Sequence, residues 1–409
     1  MSKPLGPIPA GFAALDGELA VDGIKASDLV ERAGDTPCFI YSEKMLRDRM
    51  ARLRAAMPDG LGLHFAMKAN PYPPVLAVMA EIADGLDVAS GGELALAIGA
   101  GMSADHISFA GPGKRDDELR QAITTGATLN LESEGEAERA LAIADSLNVR
   151  ARLAVRVNPD FDLRGSGMRM GGGAKQFGID QDRVPDLVRH LVARGADWRG
   201  FHIFAGSQAL DADAVIETQA NTIRLAAQLS DAAGSPPPHV NLGGGFGIPY
   251  FPGDTPIDID AIGAALGKAL ASLPPILQHS RFAIELGRWL TGEAGVYLTR
   301  IVDRKVSHGD TFLITDGGLH HQLAASGNFG TVVRRNYPVA IASRFDAVAD
   351  DVVNVVGCLC TPLDRLADKA ELPRADVGDL VAVFCAGAYG ASASPSDFLG
   401  HGKARELLV

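Results

Sequence analysis

The chain has 409 residues, 47% of them hydrophobic and 22% charged, with a formal net charge of −12 and a pI near 5.3. That length exceeds one small core and points to two domains, or a large barrel with a smaller companion. The acidic balance argues against nucleic acid and anionic membrane as partners, since both select a basic patch. A small anionic ligand held by a few local donors stays open.

The opening MSKPLGPIPAGFAAL is broken by prolines and has no continuous apolar core, so no export signal is expected. No run of about 18 apolar residues is present, so no membrane span is expected. The four cysteines, Cys38, Cys358, Cys360 and Cys385, are too sparse for a disulfide framework. Cys358 and Cys360 have no second Cys/His pair at ligand spacing, so neither zinc nor another metal is expected. A cytoplasmic protein of enzyme size is expected.

Residues 1–44 contain TPCFIYS (36–42), which reads as a strand lent to a later β domain. A β–α rhythm follows. The β-like runs are LHFAMK (63–68), LDVAS (86–90), HISFAG (106–111), TLNLES (128–133), RLAVRVNP (152–159), GFHIFAGS (200–207), HVNLGGG (239–245) and RFAIELGR (281–288). Helical stretches such as GGELALAIGAG separate most of them. Alternation implies parallel strands joined by crossover helices. Eight units suit an α/β fold, a (β/α)8 TIM barrel over 45–285, with a doubly wound sheet as the alternative. Ser90…Glu93 and Ser133…Glu136 match capping boxes at strand-to-helix junctions.

DFDLRGSGMRMGGGAKQFG (160–178) is Gly-rich and polar and reads as an active-site loop. Gly165, Gly167 and Gly171 miss the GxGxxG spacing, and no P-loop is present. Beyond about 296 the runs VYLTRIVDRKV, DTFLITDGG, DVVNVVGCLC and DLVAVFCAGAYG lack long intervening helices. They predict an antiparallel C-terminal β domain, a sandwich or Greek key, over 286–409.

Barrel chemistry sits where strands end. Lys68 ends the first run, Asp87 and Ser90 lie in the second, and Arg156 and Asn158 end the fifth. His202 and Ser207 belong to the sixth, Gly243-Gly244-Gly245 closes the seventh, and Glu285 and Arg288 close the eighth. A desolvated lysine is the amine a Schiff base needs. Three glycines followed by a helix offer N–H groups to a phosphate, and Arg288 and Ser207 add donors. Glu285 can face a pyridine nitrogen, and His202 can stack on a flat ring. Together these features specify pyridoxal phosphate. Singly, each has a plainer reading: a surface lysine, a tight glycine turn, a core histidine, a salt-bridged pair on the rim.

FAMKANP, DVASGGEL, FAGPGKRDDEL, FHIFAGSQ, NLGGGFG, ELGR, CTPLD and GAYG, in that order, carry a resemblance to the fold-type III pyridoxal-phosphate decarboxylases. That group acts on diaminopimelate, ornithine and arginine. The resemblance implies an alanine racemase-like barrel, a β domain and a homodimer with shared active sites. It implies Lys68 as the Schiff-base lysine, His202 stacking on the ring and Glu285 at its nitrogen. Ser207, Gly243, Gly244, Gly245, Arg288 and Tyr389 would bind the phosphate, and Asp87 and Arg156 would also border the cofactor. Cys360 and Asp364 would come from the partner subunit, Cys360 as proton donor. Of the two cysteines in Cys-Leu-Cys, Cys360 has the Cys-x-x-x-Asp spacing and Cys358 reads as a small apolar residue. Asp364, Arg288, Tyr389 and one of Arg334 or Arg335 are expected on the substrate. His320 and His321 read as a solvated pair.

The chain departs from the family's usual pattern in two places. Glu-Leu-Gly-Arg stands where Glu-Pro-Gly-Arg is usual, and Thr361-Pro362 stands where the diamine enzymes carry an acid. A site without that acid lacks the partner for a distal ammonium. CTPLD and the ending GAYGASASPSDFLGH are closer to decarboxylases of exosortase-associated clusters, or of carrier-tethered or otherwise derivatised amino acids. The alternatives are an amino-acid racemase on the same fold, which needs a second base, and a non-catalytic regulator that keeps the fold.

Overall fold

A computed structural model describes residues 2–165, 167–327 and 335–409, without the side chains of residues 168 and 169. The chain forms two compact units: 49–247 with 256–287, and 1–48 with 248–255 and 288–409. The predicted borders at 44 and 285 missed that residues 248–255, between the seventh and eighth barrel strands, belong to the second unit.

The first unit is a closed parallel barrel. Its strands are Gly62–Ala66, Gly85–Val88, Ile107–Phe109, Thr128–Leu131, Arg152–Asn158, Asp197–Ile203, His239–Gly244 and Arg281–Leu286. Each pairs in parallel with the next, and the eighth returns to the first with Leu286 opposite Phe65. Closure leaves no sheet edge, so each strand is shielded on both sides and its apolar residues are buried. Seven helices, from Pro73–Ile82 to Ile259–Ala271, follow the first seven strands.

Short polar side chains, Ser90, Ser133, Asp211 and Asp258, set where four of these helices begin, since the first turn has N–H groups without helical partners. Ser90 accepts from Glu93 N at 3.1 Å, and Asp258 accepts from Asp260 N and Ala261 N at 3.1 and 3.0 Å. The two expected capping boxes are only half formed. Ser133 caps Glu136 N at 3.1 Å, but the Glu136 carboxylate turns to Lys114. Glu93 reaches back to Ala89 N rather than to Ser90 N.

Lys114 and Glu136 form a pair that sequence patterning does not reveal. Nζ lies 2.6 Å from Glu136 Oε1 and also donates to Gly111 O at 2.7 Å and Asn130 O at 2.9 Å. Both side chains are almost wholly buried. Burial pulls the lysine pKa down more than Glu136 and Glu132 restore it.

The second unit is a mixed sheet, which corrects the antiparallel expectation. Its spine is the long strand Gly295–Ser307. One half of it is flanked antiparallel by Cys38–Tyr41 and Leu380–Val383, and the other half pairs with Asp310–Thr315. Two pairings are parallel: Asp310–Thr315 with Asp351–Val356, and Arg405–Leu408 with Cys38–Tyr41. The chain's own last strand covers the edge of Cys38–Tyr41, a non-local pairing that local pattern cannot announce. Phe12–Leu15, Glu18–Val21 and Ile24–Lys25 add a small antiparallel sheet that the sequence reading lacked. Leu19, Leu29, Ile40, Val296, Leu298 and Phe384 share one core cluster.

Removing one partner of a buried ion pair leaves a stranded charge, at a cost of about 3–5 kcal/mol. Lys114→Met should therefore lower the midpoint of urea unfolding clearly. The double variant Lys114→Met with Glu136→Leu should recover most of the loss. A single variant as stable as the parent would show that the pair contributes nothing.

Candidate active site

Lys68 does not end a strand. It lies in a single 3-10 turn, Met67–Ala69, just past Gly62–Ala66. Met67 and Ala69 are buried while Lys68 is exposed, which corrects the expectation of a desolvated amine. A 3-10 turn rotates about 120° per residue, so apolar neighbours can pack inward while the residue between them points out. Nζ stands 5.8 Å from the ring centroid of Phe204, the residue after Asp197–Ile203.

Glu285 and His202 meet inside the barrel, with Nε2 2.9 Å from Oε2 and both side chains buried. Asn241 Nδ2 donates to the same Oε2 at 3.1 Å. Parallel register explains the meeting. Glu285 sits on the eighth strand, Asn241 on the seventh and His202 on the sixth, with His202 opposite Asn241 and Asn241 opposite Ala283. Burial pushes the Glu285 carboxyl up, but His202, then Lys68 and Arg156, outweigh it and hold the carboxyl below the ordinary carboxylate range. His202 Nδ1 has no hydrogen-bond partner among the described residues.

Asn241 also ties this group to the glycine turn, because its Oδ1 accepts from Gly243 N at 2.8 Å. Sequence reading passed over Asn241, although an Asn two residues before a glycine is an Asx-turn signal. The bond also corrects one expectation, since the Gly243 N–H is spent within the protein and its place in the turn is conformational. A Cβ on Gly243, Gly244 or Gly245 would lie 2.6, 1.9 or 2.2 Å from the carbonyl oxygens of Ile203, Glu285 and Gly206. Gly243 and Gly245 also have positive φ, at 70° and 80°. The expected helix does not follow directly. The next one begins at Ile259, so the turn is not the N-terminus of the helix that follows it. Ser207 lies on the two-residue strand Gly206–Ser207 past the end of the sixth strand and is partly exposed.

Asp87 stands on the second strand with Oδ2 3.5 Å from His64 Nδ1. Burial disfavours the charged His64, but the carboxylates of Asp87 and Glu285 prevail and raise its pKa. Arg156 donates to Glu132 Oε1 at 2.8 Å and stacks on Phe177 at 4.9 Å. Glu132, another residue not foreseen, also accepts from Gly111 N and Gly178 N, each at 2.7 Å. Arg156 is thus committed to the barrel's own structure. Asn158 likewise ties Gly173 O and Asp180 Oδ1.

The remaining expected residues belong to the second unit. Arg288 donates to the Tyr250 hydroxyl at 2.7 Å, and its guanidinium lies 4.7 Å from the Tyr389 ring centroid. Arg288 Nε has no partner among the described residues. Cys360 is an exposed free thiol. Asp364 is buried, and its two oxygens accept from Leu319 N at 2.6 Å and Leu359 N at 2.8 Å. It frames the loop that bears Cys360, which corrects its placement on the substrate. Arg335 stacks on Phe251 at 3.8 Å, and Arg334 lies outside the described residues. His320 and His321 are buried, not solvated.

The rim thus gathers an amine, a buried carboxylate kept ionised and a glycine turn of close backbone approach. A family model described as "Pyridoxal-dependent decarboxylase, pyridoxal binding domain" matches residues 43–292. The chain is 37% identical over 389 residues to the L-glutamyl-[BtrI acyl-carrier protein] decarboxylase of Niallia circulans, covering 91% of this chain and 89% of the relative. It is 31% identical to the diaminopimelate decarboxylase of Aquifex aeolicus, over 96% of this chain and 91% of the other. The crystal structure of diaminopimelate decarboxylase from Helicobacter pylori complexed with L-lysine superposes with a TM-score of 0.82 at 25% identity, covering 94% of both chains. Among the described residues no helix is long and apolar enough to cross a membrane. The barrel, the mixed sheet and these likenesses show that the chain belongs to the pyridoxal-dependent decarboxylases, carboxy-lyases that use pyridoxal 5'-phosphate.

Proposed function

We propose that this enzyme removes the α-carboxyl group of a glutamyl or similarly derivatised amino acid tethered to an acyl-carrier protein. One observation carries the substrate class. The loop after Cys360 has no carboxylate left to pair with a distal ammonium. Thr361 and Pro362 are uncharged, and both oxygens of Asp364 are taken by backbone amides. The relative that acts on a carrier-bound glutamyl group has the same preference in its printed name, and its identity of 37% exceeds the 31% of the diaminopimelate enzyme.

The barrel residues fit the cofactor. A buried anionic carboxylate suits a protonated pyridine nitrogen. Lys68 would hold its carbonyl carbon, His202 its ring face and Glu285 its ring nitrogen. Gly244, Gly245 and Ser207 would hold its phosphate. When bound, the cofactor supplies the electron sink that makes loss of carbon dioxide feasible.

The protein's own work is then positional and protonic. Glu285, kept ionised, would hold a proton on the cofactor's ring nitrogen. Asn241 and His202 fix that carboxylate through its Oε2. The exposed thiol of Cys360, presented by a second copy of the chain in a homodimer, delivers a proton to the carbon that lost its carboxylate.

Lys68→Ala should lose nearly all carbon dioxide release together with the visible absorbance of the bound cofactor; a variant that keeps both ends this assignment. Cys360→Ala should lower kcat by about 10²–10⁴-fold while cofactor absorbance persists, the range for a lost general acid. Asn241→Ala should weaken cofactor binding by about tenfold or more, as for the loss of a hydrogen bond to a charged group, and should also lower the unfolding midpoint of the cofactor-free protein, since Gly243 N–H loses its partner as well. In a panel of free and carrier-bound amino acids, release is expected from the carrier-bound glutamyl group. Faster release from free meso-diaminopimelate would overturn the substrate class, and a change of optical rotation without carbon dioxide would indicate a racemase.

A further inference from the structure

His320 is completely buried, yet neither ring nitrogen has a hydrogen-bond partner among the described residues. Its neighbour His321 is satisfied on both sides, by the Tyr297 hydroxyl at 3.1 Å and Gly402 O at 2.9 Å. A buried polar side chain without partners calls for a physical reason, and an ion is one of the few that answer it. Two further donors of metal-binding type stand beside it. Cys358 Sγ lies 3.7 Å from His401 Nδ1, and the ligand atoms of His320, Cys358 and His401 all lie within 4.8 Å of one another.

We propose that His320, Cys358 and His401 form a binding site for a divalent cation that favours thiolate and imidazole, zinc above all. With Zn–S near 2.3 Å and Zn–N near 2.0–2.1 Å, a sulfur and a nitrogen on a tetrahedral ion stand about 3.6 Å apart and two nitrogens about 3.3 Å apart. The Cys358–His401 separation already matches, and His320 needs only a small side-chain shift. Binding requires Cys358 to give up its proton, now directed at Asp316 O at 3.4 Å, so uptake releases one proton to solvent. His401 is exposed, which leaves a fourth position for water.

The ligands come from three separate segments: the turn after Asp310–Thr315, the loop after Asp351–Val356 and the C-terminal segment after Phe398–Gly400. An ion here would tie the C-terminal segment to the loop that carries Cys360 two residues on. Spacing along the chain argued against a metal because it counts only ligands that are near in sequence.

The test uses the pyridoxal-loaded protein, stripped of metal with a chelator and titrated with cobalt(II). One equivalent per chain should give the d–d bands of a four-coordinate thiolate site, at longer wavelength than cofactor absorbance. Cys358→Ser and His401→Asn should each abolish the bands, with cofactor absorbance showing that the variants are folded. Cys360→Ser should retain them. Absence of stoichiometric bands in the parent, their survival in Cys358→Ser, or their loss in Cys360→Ser would overturn the site. Because the readout is the metal's own spectrum, its failure leaves the decarboxylase reading untouched.

Discussion

The Glu285 carboxylate carries a negative charge in the interior of a closed barrel, and much of the rim is built to keep it there. A lone buried carboxylate would take up a proton, since burial disfavours the charged form. Here His202 and Asn241 converge on one of its oxygens, and Lys68 and Arg156 add positive charge. Strand register makes this possible: three adjacent parallel strands place three side chains on one interior face. Asn241 passes the constraint on to the glycine turn through Gly243 N, so the carboxylate and the turn are held by one side chain.

The same accounting of charge governs the neighbouring fourth and fifth strands. Arg156 meets Glu132, which also gathers two backbone amides, and Lys114 meets Glu136 beside it. Buried ions persist only where partners and hydrogen bonds replace lost water. Residues that look like ligands in a list of strand ends can therefore be structural. Arg156 and Asn158 are bound up in holding the loop that returns through Gly173 and Gly178.

In the second unit a single carboxylate plays the corresponding part. Asp364 gathers the backbone of Leu319 and Leu359, and no side chain fits at Gly318 or Gly357, where a Cβ would lie 2.2 or 2.3 Å from its oxygens. This frame leaves Cys360 exposed at the loop's surface while the loop itself is fixed.

The sequence by itself determined the barrel, the rim positions of Lys68, His202 and Glu285, and the family. Those features follow from local periodicity and from strand ends, and each is written within a few residues of chain. The tertiary structure alone decided which polar groups are spent and which face outward. Whether Arg156 and Asp364 have partners within the fold depends on residues 24 and 45 positions away. The parallel pairing of Arg405–Leu408 with Cys38–Tyr41, and the meeting of His320, Cys358 and His401, join segments that no local pattern links. Burial and hydrogen-bond satisfaction are properties of the packed chain, so residue type alone could name the chemical groups of the site but not their partners.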